Sequence, residues 1–412
     1  MIHHNIIKCD ICGTKILLRF QMGYFDIPIE FSCPICGTKL SGKKSMNFEF
    51  TIDNATECSD SEKYEYYQTF SIEFPHRKIV KIDSGEQINI DGFSPFISIF
   101  SIIGEAYPKI MNKLGNYLEY LDNIWPNLKI AYNLFDHKKY QYMDKHFQKI
   151  SDKYTIDNEL NGLMALHHIK TQNTLYITPI SIKDKIYKLA KEIMLSIEKD
   201  KTIEFINYLN VELFFTKSFN RYQEIMNMWN ENFLNFFPAI ILYLGNAVDK
   251  IDKQKYGIST ISYDKLMDFY SKSYELIEDM SILICGMNNI FHRGNYNLFS
   301  SEQMNFDKLM SLRKINRLEH INKEEYFSLD IQLNNKVRNA ISHFTRQIDN
   351  ESQLITFNDR NKVNEMYLID LAILCVENYY VLLYLDEIAY NLRKNYLIDQ
   401  GQIFNMDPKK WD

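Results

Sequence analysis

Two groups of residues in this chain have the types and spacing to do chemistry. The first is a repeat: Cys9-Asp10-Ile11-Cys12-Gly13-Thr14-Lys15 returns as Cys33-Pro34-Ile35-Cys36-Gly37-Thr38-Lys39. Two residues between the cysteines let one tight turn aim both sulfurs at a single point, and the glycine that follows tolerates positive φ. Four thiolates from two such turns can enclose a zinc ion as a tetrahedron at about 2.3 Å, leaving no position open, so a structural ion is expected. A redox Cys-x2-Cys is the weaker alternative, because it needs one pair and usually a βαβ setting.

The second group is Arg338-Asn339-Ala340-Ile341-Ser342-His343. On a helix, Leu333, Val337, Ala340, Ile341 and Phe344 share one apolar stripe facing a core. Asn335, Asn339, Ser342, His343 and Arg346 share the opposite stripe with Arg338 beside it, and no acidic residue lies between Ile331 and Ile348. Histidine near its pKa can take or give a proton at neutral pH. Arginine can stabilise the charge that grows on a phosphorane oxygen. Asn339 lies within about 40° of His343 around such a helix, close enough to orient the imidazole or a phosphate oxygen. Arg338 and His343 are about 140° apart. A site shared by two facing protomers is the arrangement that solves this geometry.

The double Cys-x2-Cys-Gly pattern resembles the zinc-ribbon family over the first 45 residues. The Arg-x4-His motif resembles the HEPN superfamily, helical domains whose ribonuclease members carry Arg-x4–6-His, commonly with Asn after the Arg. The resemblance covers roughly residues 205–400: long helices, the motif helix, a short link and a long apolar helix. It implies metal-independent RNA cleavage at a composite site in a homodimer, with a 2′-hydroxyl attacking the adjacent phosphate. Arg338 and His343 would be catalytic and Asn339 supporting, with Lys336, Ser342 and Arg346 holding RNA on the same face. Many HEPN domains also carry an acidic or polar residue on an earlier helix, for which Glu275, Glu278 and Asp279 are candidates. In bacteria the resemblance implies toxins and abortive-infection proteins, an antiviral defence role with a phage-derived or regulatory protein as trigger.

The elements that must position these groups fit a mainly α chain. It has 412 residues, 46% hydrophobic and 24% charged, enough for a large core and two to three domains. A formal net charge of −6 argues against a surface coated in positive charge, though not against a local basic groove. Residues 1–45 read as a zinc ribbon with strands at 16–20 and 25–31, and 46–95 as a small β region with turns at Asp53-Asn54 and Ser84-Gly85. A helical middle region covers 96–204 and a HEPN-like helical bundle 205–400. Helices are expected near 97–120, 123–150, 158–170, 182–198, 200–218, 219–250, 261–291, 302–318, 328–347 and 360–396, with a short extended link at 354–357.

No run reaches about 18 apolar residues, so no membrane span is expected, and the N-terminus has no signal-peptide pattern. The expected setting is a reducing cytoplasm, which suits thiolate ligands better than disulfides. Cys58, Cys285 and Cys375 read as buried free cysteines, His3-His4 as a frayed terminus, and His167-His168 as core or surface. His292 and Arg293 suit the C-terminal turn of a helix ending at Gly294. A non-catalytic RNA- or protein-binding module is the alternative function. A DNA-binding regulator is disfavoured, because no helix-turn-helix cue or broad basic face is present.

Overall fold

The structure is a computed structural model. It describes residues 1–59, 63–82, 94–189, 194–209, 211–259, 263–322, 334–359 and 362–404. About 57% of the chain is helical, with small sheets at the N-terminus. It divides into two compact units, each assembled from three stretches. Met1–Ile110, Asn232–Ser271 and Asn334–Val376 form the first, and Met111–Glu231, Lys272–Leu333 and Glu377–Asp412 the second.

In the first unit the strands are β1 (Ile2–Cys9), β2 (Lys15–Gln21), β3 (Ile27–Ser32), β4 (Lys39–Lys44) and β5 (Phe50–Asp53). They continue with β6 (Ala55–Cys58), β7 (Tyr66–Phe70), β8 (His76–Arg77), β9 (Val80–Lys81) and β10 (Tyr256–Gly257). One sheet runs β6-β1-β2-β7-β9 and another β3-β4-β5. The alternation Ile27, Ile29, Phe31 buries one face of β3, as period-2 patterning requires. Between β5 and β6 the chain turns at Asn54, which takes φ 63, a conformation asparagine tolerates better than most residues. Strands β1 and β2 pair antiparallel, whereas β2 and β7 pair in parallel with Phe20 opposite Phe70. The shared core holds Ile7, Ile16, Leu18, Phe20, Phe31, Leu40 and Phe70, with Cys9 and Cys33 among them. Each large side chain so buried contributes about 1.5–3 kcal/mol. His3 and His4 are not a frayed end: they sit in β1 opposite Phe20 and Arg19. The turn expected at Ser84-Gly85 lies outside the described residues.

Buried polar links tie this unit's segments together. His76 Nε2 lies 2.8 Å from Ser259 Oγ, and Lys78 Nζ donates to the carbonyls of Lys253 (2.9 Å) and Ser352 (2.5 Å). Burial, helped by nearby Lys78, pushes His76 down from 6.5 to about 4. The folded form therefore holds a neutral ring, while the unfolded chain takes up a proton below pH 6.5. Stability from this group is complete above that pH and is lost as pH falls toward 4, by up to about 3 kcal/mol. Urea titrations between pH 7 and 4.5 should show this loss, and His76→Gln should flatten the slope.

The second unit is helical. Helices Trp125–Asp136 and Tyr140–Phe147 replace the single helix expected over 123–150, because Lys138 takes a left-handed φ of 55 between them. Helix Glu159–Thr174 starts where the sequence places it, capped by Asn158, whose side chain accepts from Asn161 N at 2.9 Å. Helix Val211–Glu231 runs through the break expected at 218–219, and the next helix, Phe233–Leu244, belongs to the first unit. Trp229 stacks on Tyr379 at 3.8 Å and 6°. Tyr117 donates to Asn230 Oδ1 at 2.7 Å and accepts from Trp229 Nε1 at 3.2 Å. Gly286, inside helix Tyr263–Arg293, lets Phe205 close on the backbone: a Cβ there would lie 2.1 Å from Phe205 Cζ. Gly286→Ala is expected to destabilise by roughly 1–3 kcal/mol, outweighing alanine's higher helix propensity, and thermal melting checks this.

Helix Leu368–Asp399 contains an 18-residue window of mean hydropathy 1.7, and 83% of that window is buried in the protein. Among the described residues it alone is long and apolar enough to cross a membrane, and its burial is that of a core helix. Cys285 and Cys375 are buried as expected, while Cys58 is half-exposed on β6.

Candidate metal centre and candidate catalytic helix

The two cysteine turns are built alike, each closing a hairpin, β1–β2 and β3–β4. In the first, Cys9 N donates to Thr14 O and Gly13 N to Cys9 O, both at 2.9 Å. In the second, Cys33 N donates to Thr38 O and Gly37 N to Cys33 O, again at 2.9 Å. Both turns need the left-handed backbone that their glycines supply, φ 77 at Gly13 and 70 at Gly37.

The four sulfurs lie within 4.8 Å of one another, so Cys9, Cys12, Cys33 and Cys36 form a cluster that could hold a metal ion. Cys9 and Cys36 Sγ are 3.7 Å apart and Cys12 and Cys33 Sγ 3.5 Å. A tetrahedron with metal–sulfur bonds of 2.3 Å has an edge of about 3.8 Å, close to these two separations. Thr14 and Thr38 hydroxyls, each 3.1 Å from Cys12 and Cys36 Sγ, supply matched outer hydrogen bonds. Hydrogen bonds from Thr38 pull Cys36 down to about 6, whereas burial pushes Cys33 up to about 12. An arriving cation would take the proton's place on Cys33 Sγ.

The surrounding charge is mostly consumed within the fold. Lys39 pairs with Glu30 at 2.5 Å and Lys43 with Asp26 at 2.6 Å. Arg19 and Lys44 are buried, Lys44 donating to Asn5 Oδ1 and Phe48 O. Four of the six basic side chains in residues 1–45 are thus paired or buried.

The Arg-Asn…His motif also lies in the first unit. Its helix spans Asn335–Ser342, capped by Asn334, whose side chain accepts from the N–H groups of Lys336 and Val337. Val337, Ala340 and Ile341 are buried, as the apolar stripe requires, and Leu333 lies outside the described residues. Two expectations are corrected. The helix does not run to 347: it stops at Ser342, and a meander follows, β11 (Arg346–Asp349), β12 (Leu354–Asp359) and β13 (Lys362–Tyr367). The short link at 354–357 is thus the middle strand of a sheet. Its buried Ile355 and Phe357 alternate with less buried neighbours, a period-2 signal hidden by brevity.

Phe344 is not in the apolar stripe. It is 80% exposed, and its φ of 56 places it in the left-handed region. The helix closes with Phe344 N donating to Ile341 O (3.2 Å) and Thr345 N to Ala340 O (3.0 Å), a Schellman turn. Glycine is the usual residue at that left-handed position, and a side chain there costs about 1–2 kcal/mol.

Of the catalytic candidates, His343 caps the helix C-terminus, its backbone N–H bonded to Asn339 O at 2.9 Å and its imidazole exposed to solvent. Arg338 is half-buried, and its Nη1 donates to Asn339 Oδ1 at 3.4 Å. Lys336 and Ser342 are exposed on the helix. Arg346 is on β11, where Nη2 pairs with Asp264 Oδ1 at 2.8 Å and Cζ lies 5.4 Å from the Phe344 ring.

The remaining candidates belong to the second unit and have structural partners. Asp279 binds Arg221 and Lys314: burial pushes its carboxyl up, but these two cations outweigh burial and hold it low. Glu275 lies 3.9 Å from Arg221. Arg293 donates to Asn289, Ser300 and Asn322, and Gly294 takes φ 73 after it, so the helix-end reading accounts for it.

A buried charged cluster in the second unit had no motif to announce it. His167 Nε2 lies 3.0 Å from Glu387 Oε2, its ring stacks on Tyr390 at 3.5 Å, and Lys170 pairs with Asp386. Burial pushes Glu387 up, yet His167 and a hydrogen bond from Asn391 hold it below the usual range. The available signal was spacing: His167 and Lys170 share one helix face, and Asp386-Glu387 interrupt an otherwise apolar run.

Compared with protein-family models, curated proteins and solved structures, the chain finds no match in any of the three.

Proposed function

We propose that this chain is a metal-independent endoribonuclease of the HEPN type, acting as a homodimer. The observation that carries the reading is the placement of Arg338 and Asn339 on one short acid-free helix and of His343 at its C-terminal cap, with the imidazole open to solvent. Two copies of that helix facing each other would supply two imidazoles and two guanidinia to one phosphodiester.

In this mechanism one His343 takes the proton from the ribose 2′-hydroxyl as its oxygen attacks the adjacent phosphorus. The bond to the 5′-oxygen breaks, and the partner subunit's His343, protonated, returns a proton to that oxygen. Arg338 stabilises the charge on the phosphorane oxygens. The products are a 2′,3′-cyclic phosphate and a 5′-hydroxyl, and no metal takes part. Lys336, Ser342 and Arg346 bind the flanking backbone.

The cysteine centre is read as a zinc site that holds the two hairpins together, because four thiolates in a closed tetrahedron suit zinc and leave no open coordination position. The resemblance to HEPN ribonucleases supports a toxin or abortive-infection role in the cytoplasm, released by a phage-derived or regulatory protein. Expression in bacteria with and without His343→Ala tests the reading, alongside incubation of the purified chain with RNA in EDTA. Growth arrest and cleavage by wild type alone support it. If both forms are harmless and neither cuts RNA, the chain is a non-catalytic module.

A further inference from the structure

Phe344 is disfavoured twice by its position. It occupies the left-handed residue of a Schellman turn, where glycine is the norm, and its ring gains nothing from burial because it is 80% exposed. Neither local conformation nor packing accounts for an aromatic there. Residues that break local rules gather at functional sites.

The surroundings indicate what the ring does. It adjoins His343 in the chain, and the Arg346 guanidinium carbon lies 5.4 Å from its centroid. Lys336 and Arg338 fall in a stretch with no acidic residue from Asn334 to Ile348, while Arg346, in the same stretch, pairs with Asp264. An exposed aromatic face next to arginine and a positive helix is the combination that stacks unpaired bases while attracting the phosphate backbone. Duplex RNA keeps its base faces stacked on one another and offers the ring no partner.

We propose that Phe344 is the platform on which an unpaired base beside the scissile phosphate stacks. This inference rests on the ribonuclease reading. It predicts opposite signs for stability and affinity at one residue. Phe344→Gly relieves the left-handed strain and should raise Tm by about 2–4 °C. It should also weaken binding of single-stranded RNA roughly 5- to 100-fold. Phe344→Trp keeps a stacking face and should bind at least as tightly as the parent.

The measurement is fluorescence anisotropy with a labelled single-stranded RNA, in a His343→Ala background that leaves the probe intact. A duplex probe of the same length and sedimentation of each variant run alongside. Weaker single-strand binding by Phe344→Gly, with Tm raised and binding retained in Phe344→Trp, supports the proposal. Unchanged affinity in Phe344→Gly overturns it, as does a dimer that dissociates with no change in affinity, which would assign the ring to a second copy of the chain. Failure of the ribonuclease reading shows separately, as absent cleavage by wild type.

Discussion

Replacing His343 with alanine is expected to slow RNA cleavage by roughly 10²- to 10⁴-fold while leaving thermal stability almost unchanged. The separation of the two effects follows from the geometry. His343 caps its helix through its backbone N–H, which alanine keeps, and its imidazole is exposed. Exposed side chains without packing partners usually alter stability by no more than about 0.5 kcal/mol. Arg338→Ala should lose about 10²- to 10³-fold, and lysine should not restore it, since a point charge cannot reproduce the planar fork. Initial rates on labelled single-stranded RNA, with EDTA throughout, measure both. A His343→Ala protein as fast as wild type would remove the imidazole from the chemistry.

The second large effect is expected at the cysteine centre. Wild type should carry about one zinc per chain, and Cys9→Ser/Cys36→Ser almost none. Cys9 lies in the core with Ile7, Leu18 and Phe70, while Cys36 stands at an exposed turn, so the pair removes one inner and one outer ligand. Structural zinc in small folds contributes on the order of 10 kcal/mol of apparent binding energy, which is folding energy for the segment it closes. Here the hydrophobic core shares that task. The expectation is a fall in Tm of roughly 10 °C or more in the double variant, and an equal fall when a strong chelator strips the wild type. Retention of full zinc by the double variant would refute the site.

The cysteine centre was legible because its chemistry is local. Spacing and the following glycine determine each turn, and two identical turns determine the tetrahedron. The motif helix was half legible. Val337, Ala340 and Ile341 are buried at their helical spacing, but the helix end was not visible, since it falls on a phenylalanine where a glycine would have marked it. Extending the helical period through Phe344 to 347 hid both the exposed ring and the β11–β13 meander.

Long-range organisation was the least visible. Each unit draws on three separated stretches, and periodicity along a chain carries no information about which stretches meet. The same limit applies to the cluster of His167, Lys170, Asp386 and Glu387. Its members stand on two helices far apart in sequence, each pair unremarkable until the helices pack.

The proposed reaction is cleavage of RNA by Arg338 and His343 without metal, through a 2′-hydroxyl nucleophile. End-group analysis of the products is its sharpest test, using wild-type protein, single-stranded RNA and EDTA. The expected termini are 2′,3′-cyclic phosphate and 5′-hydroxyl, absent with His343→Ala. Products with 3′-hydroxyl and 5′-phosphate ends, or cleavage that vanishes with EDTA while the cysteine centre keeps its metal, would contradict it.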